Sequence, residues 1–126
     1  MQTSHNQNIG SVGEQIASDY LITELKMSII ERNWRKQSKE LDIIAIEGNT
    51  LRIVEVKSRM ESSEESVTNS LTDRKLQNLT KGASLYLSTF NISGIDEIFF
   101  DLVIVIFKND GSYSIEYIPK FFFPSW

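Results

Sequence analysis

Two neighbouring apolar segments of this sequence carry charged side chains of the types that hydrolytic metal sites use. The first segment, ELDIIAI, contains Glu40 and Asp42, and the second, LRIVEVKS, contains Glu55 and Lys57. Both segments are rich in β-branched residues and flank residues 47–50, which include Gly-Asn, so they are predicted to form two strands joined by a hairpin turn. The hairpin therefore brings acidic groups and a lysine onto adjacent strands.

The register of this hairpin places two carboxylates opposite each other. With a turn closed at residues 47–50, Asp42 faces Glu55 and Glu40 faces Lys57, all on one side of the pair, because side chains alternate along a strand. Like charges with Cβ atoms about 4.5 to 5.5 Å apart are destabilising unless something offsets their repulsion. Mg²⁺ would do so, since it binds one or two carboxylates together with waters and phosphate oxygens. Lys57 would then steady an attacking hydroxide or the negative charge that develops on a phosphate.

The same charges also have an interpretation without any metal. Glu40, Asp42, Glu55 and Lys57 would then form a solvated face, with a Glu40–Lys57 cross-strand salt bridge worth less than about 1 kcal/mol. A β-bulge would in addition break the facing register of Asp42 and Glu55. The charge pattern alone leaves both interpretations open.

A further acidic residue, Glu14, lies near the start of a predicted first helix. Apolar residues recur at steps of three and four from Ser11 to about Lys26, which predicts a helix there. Glu14 shares one side of this helix with Ala17 and Leu21, so its carboxylate borders the apolar face and could point toward the sheet. The tetrapeptide SVGE also fits a capping box, in which Glu14 bonds back to the Ser11 amide, and the spacing favours this second interpretation.

Composition limits the other chemistry that this chain can perform. The 126 residues include 17 acidic and 13 basic side chains, for a net charge of −4, and 40% are hydrophobic, which is typical of a single globular domain over residues 1–126. Because the chain has no Cys and one His, a disulfide framework, a zinc ribbon, a thiol nucleophile and a histidine-based triad are excluded. Neither a membrane-spanning run nor a signal peptide is recognisable, so we expect a cytoplasmic protein without membrane contact.

The remaining segments predict a mixed sheet flanked by helices. Apolar periodicity predicts a second helix over residues 72–90, and the almost continuous apolar run at 97–107 is typical of a strand covered on both faces. Further strands are predicted at 28–34 and 112–118, and residues 1–9 are expected to be loose. The order α-β-β-β-α-β-β indicates an α/β (α+β) fold with a mixed central sheet of about five strands.

Basic side chains are unevenly distributed along this acidic chain. Seven of the thirteen fall between positions 32 and 59, which favours a local basic surface. Side chains near the strand ends and on the second helix are candidates for phosphate contacts, which give affinity for nucleic acid without sequence information. These candidates are Arg32, Arg35, Lys36, Lys39, Arg59 and Lys75.

Residues 60–70 have neither periodicity nor enough apolar content to be buried, so a mobile loop is predicted there. Its acidic residues Glu61, Glu64 and Glu65 would repel DNA if the loop closed over the site. The loop therefore either moves away from a nucleic-acid ligand or controls its access.

Several other residues have structural interpretations that the sequence favours. Trp34 could stack on a base, but its place on an alternating strand favours a core position. Asp101 begins a buried strand and is expected to be hydrogen-bonded structure rather than a third metal ligand. Phe121–Phe123 and Trp126 are most simply interpreted as core cover, whereas an exposed aromatic patch would indicate a dimer or partner contact.

Taken in order, several motifs resemble those of one bacterial family. The motifs are GSVGEQIASDYL, IIERNWR, KELDIIAI, LRIVEVKSR, a Lys75 leading LQNLTKGASLYL, and FFDLVIVI. In this order and spacing, over about residues 10–122, the sequence resembles the YraN family of the PD-(D/E)XK nuclease superfamily, which is related to archaeal Holliday junction resolvases.

The resemblance implies a restriction-endonuclease-like core and metal-dependent hydrolysis of phosphodiester bonds. Asp42 and Glu55, together with the Val56 carbonyl, would bind Mg²⁺ or Mn²⁺. Lys57 would orient or activate the attacking water, and Glu14 would complete the site from the first helix. These roles follow from the family's motif and add to the hairpin argument above.

Three functions are compatible with these observations. The leading hypothesis is a metal-dependent endonuclease acting on DNA, including branched or damaged DNA, and by analogy with junction resolvases a homodimer would suit two symmetric cuts. The alternative is a non-catalytic nucleic-acid-binding or adaptor protein on the same fold. A third is a structural interaction protein that uses the aromatic tail.

Overall fold

The computed structural model describes the backbone of residues 2–63 and 66–126 and the side chains of residues 9–63 and 66–126. This part of the chain forms one five-stranded sheet and three helices. In chain order these are α1 (Gln2–Thr23), β1 (Ser28–Lys36), β2 (Lys39–Glu47), β3 (Thr50–Met60), α2 (Val67–Ser70), α3 (Asp73–Thr89), β4 (Glu97–Phe107) and β5 (Tyr113–Phe122). No described helix has the length and apolar character needed to cross a membrane.

The sheet is mixed, which confirms the predicted fold class. Its strand order is β1-β2-β3-β4-β5, with β3 and β4 parallel and the other neighbours antiparallel. The parallel pair arises because α3 carries the chain back across the sheet, whereas tight turns join the antiparallel strands. Strands β3 and β4 pair from Thr50 with Glu97 to Met60 with Phe107, so they form the rigid centre of the molecule.

Each face of the sheet is covered by one long helix. On the α1 face, Ala17 and Leu21 pack against β-strand residues, and on the α3 face Leu79 and Ala83 do the same. The strand residues of the α1 face are Ile43, Ala45, Val54, Val103 and Val105, and those of the α3 face are Leu41, Ile44, Leu51, Ile53 and Phe100. This two-sided cover explains why β4 is apolar at almost every position.

The first helix begins earlier than the sequence predicted. It starts at Gln2, so Ser11 lies inside the helix and the predicted capping box does not form. An N-cap residue needs non-helical backbone angles, which Ser11 lacks, and Gly10 is tolerated within a helix at modest cost. Met1 of the segment predicted to be loose, residues 1–9, lies outside the described residues. Because no capping box forms, the Glu14 carboxylate is available for contacts other than the Ser11 amide.

The segment predicted as a mobile loop, residues 60–70, is only partly described. Strand β3 reaches Met60, and the short helix α2 occupies the end of this segment, with the Ser66 side chain accepting a hydrogen bond from the Thr68 amide. Glu64 and Glu65 lie outside the described residues, so the prediction of a mobile acidic loop stays a prediction.

The hairpin register agrees with the prediction near the turn and departs from it at the carboxylates. Ile44 pairs with Ile53, and the ladder ends at Ile43 opposite Val54, so Asp42 and Glu55 do not form the predicted ladder pair. The alternation slips at this point, because Leu41 packs on the α3 face while Ile43, two residues later, packs on the α1 face. The irregularity is of the kind that the β-bulge alternative anticipated.

Candidate active site

A polar cavity of about 290 Å³ lies where α1 and α3 approach the middle of β2 and β3. All four residues that the sequence singled out for catalysis line it, namely Glu14, Asp42, Glu55 and Lys57. Ile9, Gly10, Glu40, Val56, Ser58 and Lys75 complete the lining. Four carboxyl groups and two ammonium groups thus face one space, a formal excess of two negative charges that one divalent cation would balance.

Asp42 and Glu55 form the centre of this cavity without pairing in the ladder. Instead of facing Glu55 as a strand neighbour, Asp42 accepts a hydrogen bond from the Val56 amide through its Oδ2 at 2.9 Å. Glu55 is almost fully buried, at 3% exposure. Burial, followed by the charge of Glu55 and a hydrogen bond between the two carboxyl groups, raises the pKa of Asp42 to about 8. The pair therefore retains a proton at neutral pH when no cation is present.

Two lysines converge on the same oxygen of Glu55. Lys57 Nζ lies 3.4 Å from Glu55 Oε2, and Lys75 Nζ lies 3.2 Å from it. Burial alone would lower the pKa of Lys75, but the charge of Glu55 and the hydrogen bond to it outweigh burial, so the pKa is raised. Sequence reasoning placed Lys75 among phosphate contacts, whereas the structure brings it into the cavity. The sequence signals for Lys75 were its place near the start of the second helix and its position at the head of the motif LQNLTKGASLYL.

The charged groups predicted to form a cross-strand pair have other partners. Glu40 pairs with Arg35 at 3.4 Å, between side chains that are largely exposed, and Lys57 pairs with Glu55. The predicted Glu40–Lys57 bridge is therefore wrong, because the slip at Asp42 removes the register on which it depended.

Glu14 is held in place by a residue that the sequence analysis missed. The Asn33 amide nitrogen faces both carboxylate oxygens of Glu14 and donates to them. Asn33 has a positive φ of 52°, a left-handed conformation that asparagine tolerates better than most residues, and this conformation brings its side chain to the helix. Burial raises the pKa of Glu14, while the charge of Arg32 and the Asn33 hydrogen bond act in the opposite direction.

The approach of α1 to the site depends on Gly13. A Cβ atom at this position would lie 1.7 Å from Ser58 Oγ and 2.9 Å from Ser58 Cβ, distances that real structures do not show. Only glycine therefore allows this turn of α1 to lie against β3, and the neighbouring Glu14 reaches the cavity as a result.

Replacement of Gly13 by alanine should push α1 away from β3. We expect Gly13→Ala to lower the free energy of unfolding by about 1 to 3 kcal/mol, as overpacking does, measured by urea denaturation. Gly10→Ala is the matched control, because a Cβ there meets no atom within 4 Å and the change removes only backbone entropy. The double variant Gly13→Ala/Ser58→Gly should regain part of the loss, and equal stability of the two single variants would contradict this steric explanation.

The raised pKa of Asp42 predicts how the stability of the metal-free protein depends on pH. The folded state holds the Asp42 proton up to a pH of about 8, whereas the unfolded chain releases it near the ordinary pKa of 3.8. The stability that this bound proton contributes is therefore complete below pH 3.8 and is lost as the pH rises to about 8. Asp42→Asn, which is neutral throughout, should remove the decline and exceed the wild type in stability at high pH. Urea midpoints across this range measure the effect, with the exposed Glu116→Gln as control, and an unchanged decline in Asp42→Asn would refute it.

The donor set of the cavity is compatible with Mg²⁺ or Mn²⁺. Within residues 9–63 and 66–126, no three acidic, histidine or cysteine side chains converge as a complete metal cage. Mg²⁺ does not require one, since it commonly binds one or two carboxylates and keeps several waters. Burial, together with the charge of Glu55, raises the pKa of Asp42, and a bound cation would offset both effects, so Asp42 and Glu55 fit the ion in charge and chemistry.

The other basic candidates lie outside this cavity. Arg32 donates to Gln15 at 3.0 Å, and Lys36 donates to Thr89 at 3.1 Å. Lys39 lies between the β1–β2 turn and α3. Arg59 lines a smaller cavity of about 150 Å³ that it shares with Lys57, Ser58 and serines of the segment around α2. Contacts of these side chains with nucleic acid stay predictions.

The structural interpretations of Trp34 and Asp101 are confirmed. Trp34 packs edge-on against Tyr86, with ring centroids 5.2 Å apart, as part of the α3-side core. Asp101 is fully buried and accepts hydrogen bonds from Arg52, the Tyr117 hydroxyl and the Lys120 amide.

The aromatic tail serves partly as core cover. Phe122 and Trp126 both stack near Phe100, with ring centroids 4.7 and 5.9 Å from it. Phe123, by contrast, is 77% exposed. The core interpretation therefore holds for Phe121 and Phe122, which pack against the α3-side core. It does not hold for Phe123, and Trp126, which is 63% exposed, covers Phe100 only in part.

The fold and the site together define an α+β protein with a buried acidic pair and two lysines in one cavity. Comparison with known proteins adds the family: the sequence profile of Uncharacterised protein family UPF0102 matches residues 13–105. A UPF0102 protein of Bacteroides fragilis is 36% identical over 116 residues, covering 92% of this chain and 93% of that protein. Those of Acidothermus cellulolyticus and Flavobacterium johnsoniae are each 34% identical, over 91% and 94% of this chain and 93% and 96% of theirs. The chain belongs to the UPF0102 family, in agreement with the YraN-like resemblance.

Proposed function

We propose that this protein is a metal-dependent endonuclease that hydrolyses phosphodiester bonds in DNA. The observation that carries the proposal is the convergence of Asp42, Glu55 and Lys57 in one cavity with an excess of negative charge. The spacing of these residues, an Asp on one strand and Glu-Val-Lys on the next, is that of the PD-(D/E)XK superfamily, to which we assign the chain. The overall net charge of −4 is no obstacle, since phosphate binding depends on local charge.

Each residue of the cavity has a role in this proposal. Asp42 and Glu55 would hold Mg²⁺ or Mn²⁺, with the Val56 carbonyl as a backbone ligand and Glu14 as a further acidic group from α1. When bound, the ion would supply Lewis-acid polarisation of the phosphate and a more acidic water. Lys57 would orient the attacking water and stabilise the charge that develops on the phosphate oxygens.

Lys75 gains a role that the sequence did not assign to it. Its ammonium group lies 3.2 Å from Glu55 Oε2, so it holds that carboxyl group in a fixed position inside the cavity. It also frees Lys57 from being the sole counter-charge of Glu55, so Lys57 can turn toward a substrate phosphate. We therefore place Lys75 as a positioning residue of the site rather than a distant phosphate contact.

The test of this function is a cleavage assay with purified protein on plasmid, linear duplex and branched DNA. We expect strand scission with Mn²⁺ or Mg²⁺ and none in EDTA, and a preference for branched substrates would favour a homodimer that makes two cuts. Cleavage that persists in EDTA after extensive metal removal would contradict the proposal.

One observation favours a second candidate, a non-catalytic nucleic-acid-binding or adaptor protein. Lys57 and Lys75 both contact Glu55, so this buried carboxylate has counter-charges without a metal ion. Such a protein would bind DNA in a salt-dependent manner without turnover in any metal. Nicking by the wild type that Lys57→Ala abolishes would exclude it.

A further inference from the structure

A second concave surface lies between the β1–β2 turn and helix α3. It is an open groove of about 480 Å³, and we call it the turn groove. Its lining consists of Gln37, Lys39, Lys81, Ser84, Leu85 and Ser88. Two ammonium groups and two hydroxyl groups therefore border a space that no residue of the catalytic cavity shares.

The positive charges of the turn groove are not neutralised within the described part of the protein. There, neither Lys39 nor Lys81 has a carboxylate within 4.0 Å of its ammonium group. The neighbouring Arg35 differs, since it pairs with Glu40. Two unpaired lysines on opposite walls of a groove form a place where an anion gains two charge-assisted contacts.

The walls of the turn groove are held in a fixed relation. Gly82 allows α3 to lie close to β2, because a Cβ atom there would be 3.2 Å from Leu41 Cδ2 and 3.5 Å from Lys39 Cβ. Lys36 ties the hairpin to the end of α3 through Thr89 at 3.1 Å. The turn residues Gln37 and Ser38 both have positive φ, 50° and 62°, without glycine at either position. A hairpin turn of this shape commonly uses glycine, so the polar residues here are kept at some conformational cost.

We propose that the turn groove binds a backbone phosphate of the nucleic acid, away from the phosphate that is cleaved. The groove and the catalytic cavity share two elements, since Lys39 precedes Glu40 on β2 and α3 carries both Lys75 and Lys81. These two lysines are six positions apart, which is about 9 Å along a helix. A strand of B-DNA places one phosphate about every 3.4 Å along its axis, so the turn groove holds a phosphate two to three nucleotides from the scissile one.

The distance of the bound phosphate from the cut rests on the proposed nuclease function. Phosphate binding by the turn groove, in contrast, is tested without catalysis. The probe is a short fluorescent DNA duplex in EDTA, with anisotropy measured between about 50 and 200 mM salt. We expect Lys81→Ala to weaken binding and to reduce the slope of log affinity against log salt by about 1. Lys81 is exposed and its replacement leaves the core intact, which circular dichroism verifies.

Lys26→Ala is the matched control for Lys81→Ala. Lys26 is an exposed lysine before β1, at the end of the sheet opposite the turn groove, and its ammonium group donates to the Thr23 carbonyl at 2.6 Å. Wild-type affinity and salt slope are expected for this variant. An unchanged slope in Lys81→Ala, or an equal change in both variants, would overturn the proposal.

DNA cleavage and DNA binding, measured in parallel, distinguish this inference from the nuclease proposal. If the wild type cleaves DNA with Mn²⁺ and Lys81→Ala binds DNA as the wild type does, the turn-groove proposal is overturned and the nuclease proposal is retained. If Lys81→Ala binds DNA more weakly and the wild type cleaves DNA in no metal, the turn-groove proposal is supported and the nuclease proposal is overturned.

Discussion

Asp42→Asn and Glu55→Gln are each expected to lower metal-dependent DNA cleavage by about 10³-fold or more. Both substitutions keep the size of the side chain and remove a negative charge from the cavity that would hold the ion. A bound metal supplies several kcal/mol of transition-state stabilisation, and each 1.36 kcal/mol corresponds to a tenfold rate, which gives this magnitude. Asparagine retains an oxygen that can accept from the Val56 amide, so the backbone arrangement around residue 42 is preserved.

Rates of plasmid nicking under single-turnover conditions measure this effect. Glu116→Gln on β5 is the control, because it makes the same chemical change on an exposed side chain outside the cavity. DNA affinity in EDTA should not fall in Asp42→Asn, since loss of a negative charge does not weaken attraction to phosphate. Retention of wild-type nicking by either Asp42→Asn or Glu55→Gln would remove the acidic pair from the mechanism.

The largest loss of stability is expected from Asp101→Ala. Asp101 is fully buried, and its carboxylate lies 3.2 Å from Arg52 Nη1 while accepting from the Tyr117 hydroxyl at 2.7 Å and the Lys120 amide at 3.0 Å. Its removal takes the acceptor from the Tyr117 hydroxyl and the Lys120 amide and leaves the half-exposed Glu47, 3.3 Å away, as the partner of a largely buried guanidinium, which costs about 3 to 5 kcal/mol in all. The free energy of unfolding, measured in urea, should fall by this amount.

A double variant distinguishes loss of the buried Arg52–Asp101 ion pair from simple loss of packing. Asp101→Ala/Arg52→Met replaces the ion pair by apolar groups, so it should be more stable than Asp101→Ala alone. A loss below about 1 kcal/mol in Asp101→Ala would show that the network contributes little. Catalytic activity per folded molecule should stay unchanged, because this network does not line the catalytic cavity.

The elements of this fold could be predicted from local patterns in the sequence. The strands around residues 47–50 follow from β-branched runs that flank a turn, and α3 follows from apolar residues at helical spacing. The parallel central strand was recognisable because both of its faces are apolar, which requires cover on two sides. These signals are local, and the packing of helices on both faces of the sheet favours the same secondary structure that each signal predicts.

The detailed geometry of the site depends on departures from regular helices and strands. Apolar periodicity and runs of β-branched residues do not encode these departures. Strict alternation placed Asp42 opposite Glu55, but the slip between Leu41 and Ile43 replaced strand pairing by the bond from Val56. The support that Asn33 gives to Glu14 depends on a left-handed residue within a strand, and a positive φ has no clear sequence signal outside glycine.

The entry of Lys75 into the cavity could not be foreseen for a related reason. Helical spacing predicts which face of α3 is apolar, but not how far along β3 the helix is placed. That position is set by tertiary contacts such as the close approach of Gly82 to Leu41. Sequence reasoning therefore identified the chemical groups of the site and left their mutual distances open.

Titration of Mn²⁺ into metal-stripped protein by calorimetry tests the central claim, a convergent acidic metal site, most directly, because it needs no choice of substrate. The account predicts saturable binding to the wild type that is lost in both Asp42→Asn and Glu55→Gln and kept in Glu116→Gln. Binding to the wild type that persists unchanged in both cavity variants would contradict it, since the ion would then occupy a site that these two carboxylates do not form.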